Sequence, residues 1–520
     1  MSPNIEPVSV ETWDTKPHNG SSDNNIRPVG STATGSVMPD SHSIKKTIGP
    51  ITMISVCFNI CNSWAGITSS TQIALIQGGP VTLVFGIIFA AVLYMAIALS
   101  MGELASVYPT AGGQYHFASV LAPKRGNREI SYICGVLTMF SWVAIGSSVS
   151  MASSQQILPL AEYYNPGYVA KDWHYFLVYQ AFLLVVLVYN MVALKKLPVT
   201  HNIGFFVTLS LFLISLIFYT VRASPKATSE FVWNTFLNLT GWPDGVCFFA
   251  AQLTTCFCFA GLDGALHLAE DAPNPRTAVP RATVTTVLIG FTTAFSIAIC
   301  ILYSISDFES LLTIDGYVPF EIMRQAFRSN NMAVGILIAS CFLSFFILNA
   351  VVETSSRIAW ALAKDNALLM SSKLELVHPG LEIPTWSLIF SWFFIALTGV
   401  VFVISSTAFN AVLASLIVLQ LLSFSIPCAL LLYQRRSEEY LPADRLFRLP
   451  HWLGFTVNAY VVGISLMLTV FFVLPTFLPV TASTMNYTVV ILAIVALLST
   501  INWFLHAGRA YQGPRIEYNY

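Results

Sequence analysis

The sequence predicts an all-α integral membrane protein of about twelve transmembrane helices. The expected plan is a 5+5 inverted repeat with broken helices 1 and 6 plus two extra C-terminal helices. Three observations predict it. Of the 520 residues, 55% are hydrophobic and only 10% charged, under half the roughly 25% charge of a soluble domain. Apolar runs long enough to cross a hydrocarbon layer about 30 Å thick recur along the chain, and such a layer admits only segments that satisfy their own backbone. Two of the runs, one beginning each block of five, stop being apolar at mid-membrane depth.

In order along the chain, residues 1–47 are polar and rich in Ser, Asn, Pro and Gly. They have no apolar core that would make a signal peptide and read as a disordered cytoplasmic N-terminal tail. The transmembrane domain follows over 48–506, with spans expected at 49–76, 80–104, 130–158, 174–194, 199–221, 246–270, 279–304, 332–362, 384–404, 408–434, 453–475 and 485–506. The run from Pro80 to Met101, without a single charge, is the clearest. Residues 507–520 complete the chain as a cytoplasmic C-terminal tail.

Placing the amino terminus inside puts 20 of the 25 Lys and Arg on the cytoplasmic side, among them Lys45, Lys46, Lys124, Arg125, Lys195, Lys196, Arg435 and Arg436. Only Lys171, Arg222, Lys226, Arg324 and Arg328 remain outside, a bias that orients the protein with both termini cytoplasmic. The sequon Asn238-Leu239-Thr240 then lies in the longest outer loop, making Asn238 the candidate for glycosylation. Asn486-Tyr487-Thr488 lies too near the last span to be used. The net charge of −1 gives no reason to expect nucleic acid. The nine cysteines sit in apolar stretches without metal-ligand spacing and read as small buried residues.

In the first span the run Asn59, Asn62, Ser63, Trp64, Ala65, Gly66, Ile67, Thr68, Ser69, Ser70 interrupts the apolar pattern, with Gly66 inviting unwinding; close helix packing is the alternative use of that glycine. The sixth span repeats the feature in Phe257-Cys258-Phe259-Ala260-Gly261-Leu262-Asp263-Gly264-Ala265, with a carboxylate between the glycines. Discontinuous membrane helices offer free amides to an anion and free carbonyls to a cation, so paired breaks point to a shared midplane site. Asp263 is costly to leave ionised in hydrocarbon; it must face a wet cavity, carry a proton, or pair with a cation such as a substrate ammonium.

Three stretches carry a family resemblance: Asn62-Ser63-Trp64-Ala65-Gly66-Ile67, the run from Gly102-Glu103-Leu104 through Gly112-Gly113-Gln114-Tyr115, and Phe259 to Asp271. On these, over about residues 45–510, the chain resembles the fungal permeases of the amino acid–polyamine–organocation superfamily, most of all the choline and GABA permeases. The resemblance implies substrate contacts at Asn62, Trp64, Ala65, Gly66, Ile67 and Thr68, and at Phe257, Phe259, Ala260, Gly261 and Asp263. Some proton-coupled relatives carry a lysine in span 5, but none occurs here between Thr208 and Thr220.

Asp263 and Glu270 are candidates for gating or coupling. So are Glu353 and Arg357, four residues apart near the inner end of span 8, which read as a paired inner latch. His267 and Asp271 could pass protons at the inner mouth. Glu103 reads as an interfacial cap or loop anchor. No GxxxxGK[ST] motif is present, so the driving force is expected to be an ion gradient, with H+ the expected ion and no cofactor or metal. No nucleophile–base pair or metal cluster suggests an enzyme. The expected function is secondary transport, in the plasma membrane, of a small amino acid or amine such as GABA or choline. A nutrient receptor that binds without net transport is the alternative, and accumulation in vesicles separates the two. The oligomeric state stays open.

Overall fold

A computed structural model describes residues 48–193, 197–313, 316–379, 383–482 and 484–514. The tail 1–47, Lys195 and Lys196 of the basic count, and residues 515–520 lie outside the described residues. The chain begins with α1 (Pro50–Cys61) and α2 (Ser63–Ile76), followed by a two-residue strand β1 (Gln77–Gly78). Helices α3 (Gly79–Val107), α4 (Gln114–Leu121), α5 (Asn127–Tyr164), α6 (Asp172–Val192) and α7 (Leu197–Arg222) complete the first block. A loop with α8 (Ser229–Asn234) and β2 (Leu237–Asn238) leads to α9 (Asp244–Phe257), α10 (Gly264–His267) and a 3-10 turn over Ala269–Asp271. Then come α11 (Pro275–Ser304), α12 (Phe308–Thr313), α13 (Val318–Phe327), α14 (Asn330–Lys364), α15 (Ser371–Leu374), α16 (Thr385–Ile404) and α17 (Ser406–Tyr433). The last two spans are α18 (His451–Phe472) and α19 (Thr488–Asn502), the latter continuing through a π-helical turn, Trp503–Ala507, into α20 (Gly508–Ala510).

Eleven helical spans among the described residues are long and apolar enough to cross a membrane, counting α1 and α2 as one. The twelfth is the divided pair α9 and α10: α9, with 14 residues, reaches about 21 Å at 1.5 Å per residue and cannot cross alone. Punctuation residues set the ends. Pro50, Pro80 and Pro275 sit in the first turns of α1, α3 and α11, where no backbone donor is lost. Ser405 caps α17, its Oγ accepting the Ala408 amide at 3.2 Å, which lets α16 and α17 join in one residue.

Helix α3 packs along α11, and α1 lies against α11 and α7; α5 runs along α14, α6 and α17. A separate apolar cluster of Val143, Met151, Leu183, Leu348, Val352 and Ile395 ties α5, α6, α14 and α16 together. The two broken spans therefore lie between two helical layers. The ends of the molecule are called near, where Ile48 and the α3–α4 turn lie, and far. At the far end β1 pairs antiparallel with β2, Gln77 opposite Asn238 and Gly78 opposite Leu237.

Three features depart from the expected plan. The short helices α4 and α13 belong to no span, yet both abut the site. The first break falls at Asn62 rather than Gly66, which is helical and packs its α-carbon against Cys258: a Cβ there would lie 3.5 Å from the Cys258 Cα. The segment expected to be a tail from 507 begins folded: the Tyr511 ring is fully buried, its carbonyl accepts Arg128 Nε at 2.9 Å and its hydroxyl meets Ser131 Oγ at 2.7 Å.

Candidate substrate and coupling site

Helix α1 stops because Asn62 adopts left-handed backbone angles, φ 34° and ψ 55°, a conformation that asparagine tolerates better than most residues. The stop leaves the first-turn amides of Ser63, Trp64 and Ala65 without an intrahelical acceptor at the positive end of α2. In the sixth span the helix tightens into successive turns after Phe257, with Ala260 N–H donating to Phe257 O at 3.1 Å. Gly261 then turns the chain at φ 81°, and a Cβ on it would lie 2.4 Å from Ile60 Cγ2. Only glycine fits that turn and that contact together.

Between the breaks and the far end lies a cavity of about 80 Å³, room for several waters. Asn62, Trp64, Ala65, Gly66 and Thr68 line it from the first break and Phe257 and Ala260 from the second. Ser148 and Gln156 of α5, Ser340 and Ser344 of α14, and Tyr317 beside α13 complete the polar wall, and no charged side chain among the described residues reaches it. The Trp64 Nε1 donor and both amide atoms of Asn62 are buried without partners, groups placed to be satisfied by a ligand.

Four of the expected contact residues are not on that wall. Ile67 is fully buried away from it, Phe259 stacks on Tyr94 with ring centres 5.4 Å apart, and Gly261 lies under Ile60. Asp263 is sealed beneath the cavity floor. Its carboxylate takes Gln114 Nε2 at 2.7 Å, Trp142 Nε1 at 3.0 Å and Gln420 Nε2 at 3.1 Å, and it pairs with His267 Nε2 at 3.1 Å. The fourth partner of the carboxylate is thus a histidine of the chain itself, one turn further along the same segment.

The expected Glu353–Arg357 latch is not formed as a pair. Glu353 instead meets His201 Nε2 of α7 at 2.7 Å, while Arg357 Nη2 meets Asp271 at 3.2 Å. Each finds its partner on a facing element instead, which crosslinks the near end. Asn59 Nδ2 donates to the His201 carbonyl at 2.8 Å, and the Ile48 amide to the Asp271 carbonyl at 2.9 Å. This network joins α1, α7, α14 and the 269–271 turn, and closes the near end below the cavity. Burial raises the Asp271 carboxyl to about 6; Arg357 pulls against the shift, while Glu353 and Glu270 push with it. Glu270 itself accepts the Ala111 amide at 3.1 Å. Asn238 is held in a turn, its Oδ1 accepting the Thr240 amide and hydroxyl and its Nδ2 donating to the Trp242 carbonyl at 2.6 Å.

The wall residues that sequence reasoning passed over carry a readable signal. Ser148, Ala152 and Gln156 repeat every four residues on one face of α5, as Ser340 and Ser344 do on α14, and a polar stripe within an apolar span faces a cavity more often than lipid. Gln114, Trp142 and Gln420 carried no such pattern, because they converge from three distant segments.

Residues 51–496 match the amino acid permease family. The chain belongs to that family. This permease is 30% identical over 466 residues to the choline transporter of Saccharomyces cerevisiae, spanning 88% of this chain and 81% of that one. It is 28% identical over 476 residues to the swainsonine transporter of Arthroderma benhamiae, spanning 90% of this chain and 92% of that one. It is 25% identical over 511 residues to the 7-keto 8-aminopelargonic acid transporter of Saccharomyces cerevisiae, spanning 86% of this chain and 90% of that one.

Proposed function

We propose that this permease moves a small amino acid or amine, such as GABA or choline, by proton-coupled alternating access. One observation carries the reading: both helix breaks flank a polar cavity that no charged side chain among the described residues lines. A solute's ammonium would meet the carbonyl ends of α1 and α9 and the rings of Trp64, Phe257 and Tyr317, without an ion pair. A carboxylate would meet the free amides of α2, the Trp64 Nε1 donor and the Asn62 amide. GABA uses both sets, and choline the first together with a hydroxyl contact. The relatives' solutes, choline, swainsonine and 7-keto 8-aminopelargonic acid, accord with a site that accepts nitrogen-bearing solutes of varied shape.

With the near end cytoplasmic, the His201–Glu353 and Arg357–Asp271 network is the closed inner gate, and the cavity faces outward in a plasma membrane. The test is uptake into proteoliposomes of choline, GABA, polyamines and common amino acids, each with and without a pH gradient. At least one solute is expected to accumulate, and more strongly with the gradient. Saturable binding without accumulation under any gradient would overturn transport in favour of a receptor.

A further inference from the structure

Among the described residues three buried histidines face carboxylates, His116 with Asp365, His201 with Glu353, and His267 with Asp263. In the first two the other ring nitrogen, Nδ1, has no partner. There the contact to the carboxylate needs a hydrogen on Nε2 alone, and nothing faces Nδ1 that would require one. His267 differs, because Nδ1 lies 2.9 Å from the Ala111 carbonyl oxygen while Nε2 lies 3.1 Å from Asp263 Oδ2. A carbonyl can only accept, so Nδ1 must bear hydrogen. A second proton must then lie between Nε2 and Oδ2, since otherwise a ring lone pair faces a carboxylate oxygen. Three donors besides the histidine converge on the Asp263 oxygens, so the hydrogen shared with Nε2 is the fourth that they meet.

Resting on the proton-coupled reading above, we infer that the His267–Asp263 pair is the site that binds the transported proton, one side-chain layer beneath the substrate cavity. The layer is thin. Ile60 and Ile145 line the cavity, and a Cβ on Gly261 would touch Ile60 on one side and lie 3.6 Å from the Trp142 ring on the other. The Trp142 Nε1 then reaches Asp263.

When the proton leaves, the pair passes from neutral to one negative charge. The Nε2 lone pair then opposes Oδ2, and α10 loses its hold on Asp263. Titratable groups facing the pair are the thiols of Cys57 and Cys61 on α1 and of Cys134 on α5, and the Tyr94 phenol on α3. Of the charged groups on neighbouring elements, Glu270 holds the Ala111 amide, Arg276 of α11 donates to the Ser106 carbonyl, and Glu353 and Arg357 of α14 are engaged with His201 and Asp271. None supplies a second cation to Asp263, so the proton is held by His267.

The first measurement needs no solute: nitrogen-15 spectra of histidine-labelled full-length protein in lipid nanodiscs at pH 7. One ring protonated at both nitrogens is expected, absent in His267→Gln and singly protonated in Asp263→Asn. A singly protonated His267 in the unaltered protein would overturn the inference. The second uses labelled choline and GABA as probes in proteoliposomes under an imposed pH gradient. His267→Gln and Asp263→Asn are expected to lose at least tenfold of the gradient-driven accumulation, while His116→Gln keeps it, with monodispersity verifying folding. Gradient-driven accumulation surviving in His267→Gln sinks the pair as the proton site. Accumulation in the unaltered protein that ignores the gradient sinks the coupling reading instead, and the spectra still judge the protonation of the pair.

Discussion

Glu103 is fully buried and meets Arg436 at 2.5 Å, Arg445 at 2.9 Å and the Leu449 amide at 3.0 Å. Expected as an interfacial cap or loop anchor, it anchors the α17–α18 loop to α3 from the interior. Removing the carboxylate leaves a buried guanidinium uncompensated, at a cost of about 3–5 kcal/mol. Glu103→Gln is therefore expected to lower the unfolding midpoint in detergent far more than a surface substitution such as Glu439→Gln, and a change of under about 1 kcal/mol would contradict the burial argument. Asp271 works in the opposite sense. Its carboxyl is raised from 3.8 to about 6, so between those values the folded protein holds a proton that the unfolded chain has released. Stability from this group falls as pH rises through that window and is level on either side. Asp271→Asn should flatten the dependence of the unfolding midpoint on pH there; an unchanged slope would assign it to other groups.

At the scale of elements, the two breaks are separable by glycine substitution. Gly66→Ala adds a methyl at ordinary contact distance inside α2 and is expected to change stability by less than about 1 kcal/mol, with uptake preserved. Gly261→Ala combines a positive φ with a 2.4 Å contact to Ile60 and is expected to reduce initial uptake rate at least tenfold in protein delivered to the membrane. Equal uptake in both variants would remove the break from the mechanism. The same contrast marks what was legible in the sequence. The spans were, because length and hydropathy are local properties: Pro80–Met101 lies inside α3, and the 384–404 expectation differs from α16 by one residue. Gly66 drew attention as the residue that permits distortion, yet Asn62 takes the left-handed turn, since polar neighbours do not say which one bends. Glu353 and Arg357 have pairing spacing on α14, but facing helices offered His201 and Asp271, and no one-dimensional pattern reveals that competition. Helix α13, amphipathic and ten residues long, is too short for any membrane-length test and still helps to cover the cavity.

For the molecule as a whole, the near-end network and the open polar wall predict an access state. With the partly exposed Cys300 and Cys341 and the cavity-lining Cys61 replaced, the remaining six thiols are buried, so a cysteine introduced at Ser148 is the one that reports on the cavity. A membrane-impermeant thiol reagent is expected to label it from the far side and, once Arg357→Ala breaks the tie to Asp271, from the near side as well. Labelling from the near side without that substitution would mean that the network does not seal that end. The β1–β2 pairing bears on how such a switch can proceed. Strand β1 is the tail of α2 and β2 precedes α9, so the far halves of both broken spans are laced together by one short patch of backbone bonds. That lacing makes them a single lever with its fulcrum at the far end. The larger travel then falls to α1 and α10, the short halves whose displacement would part the near-end contacts while the solute's walls stay in register.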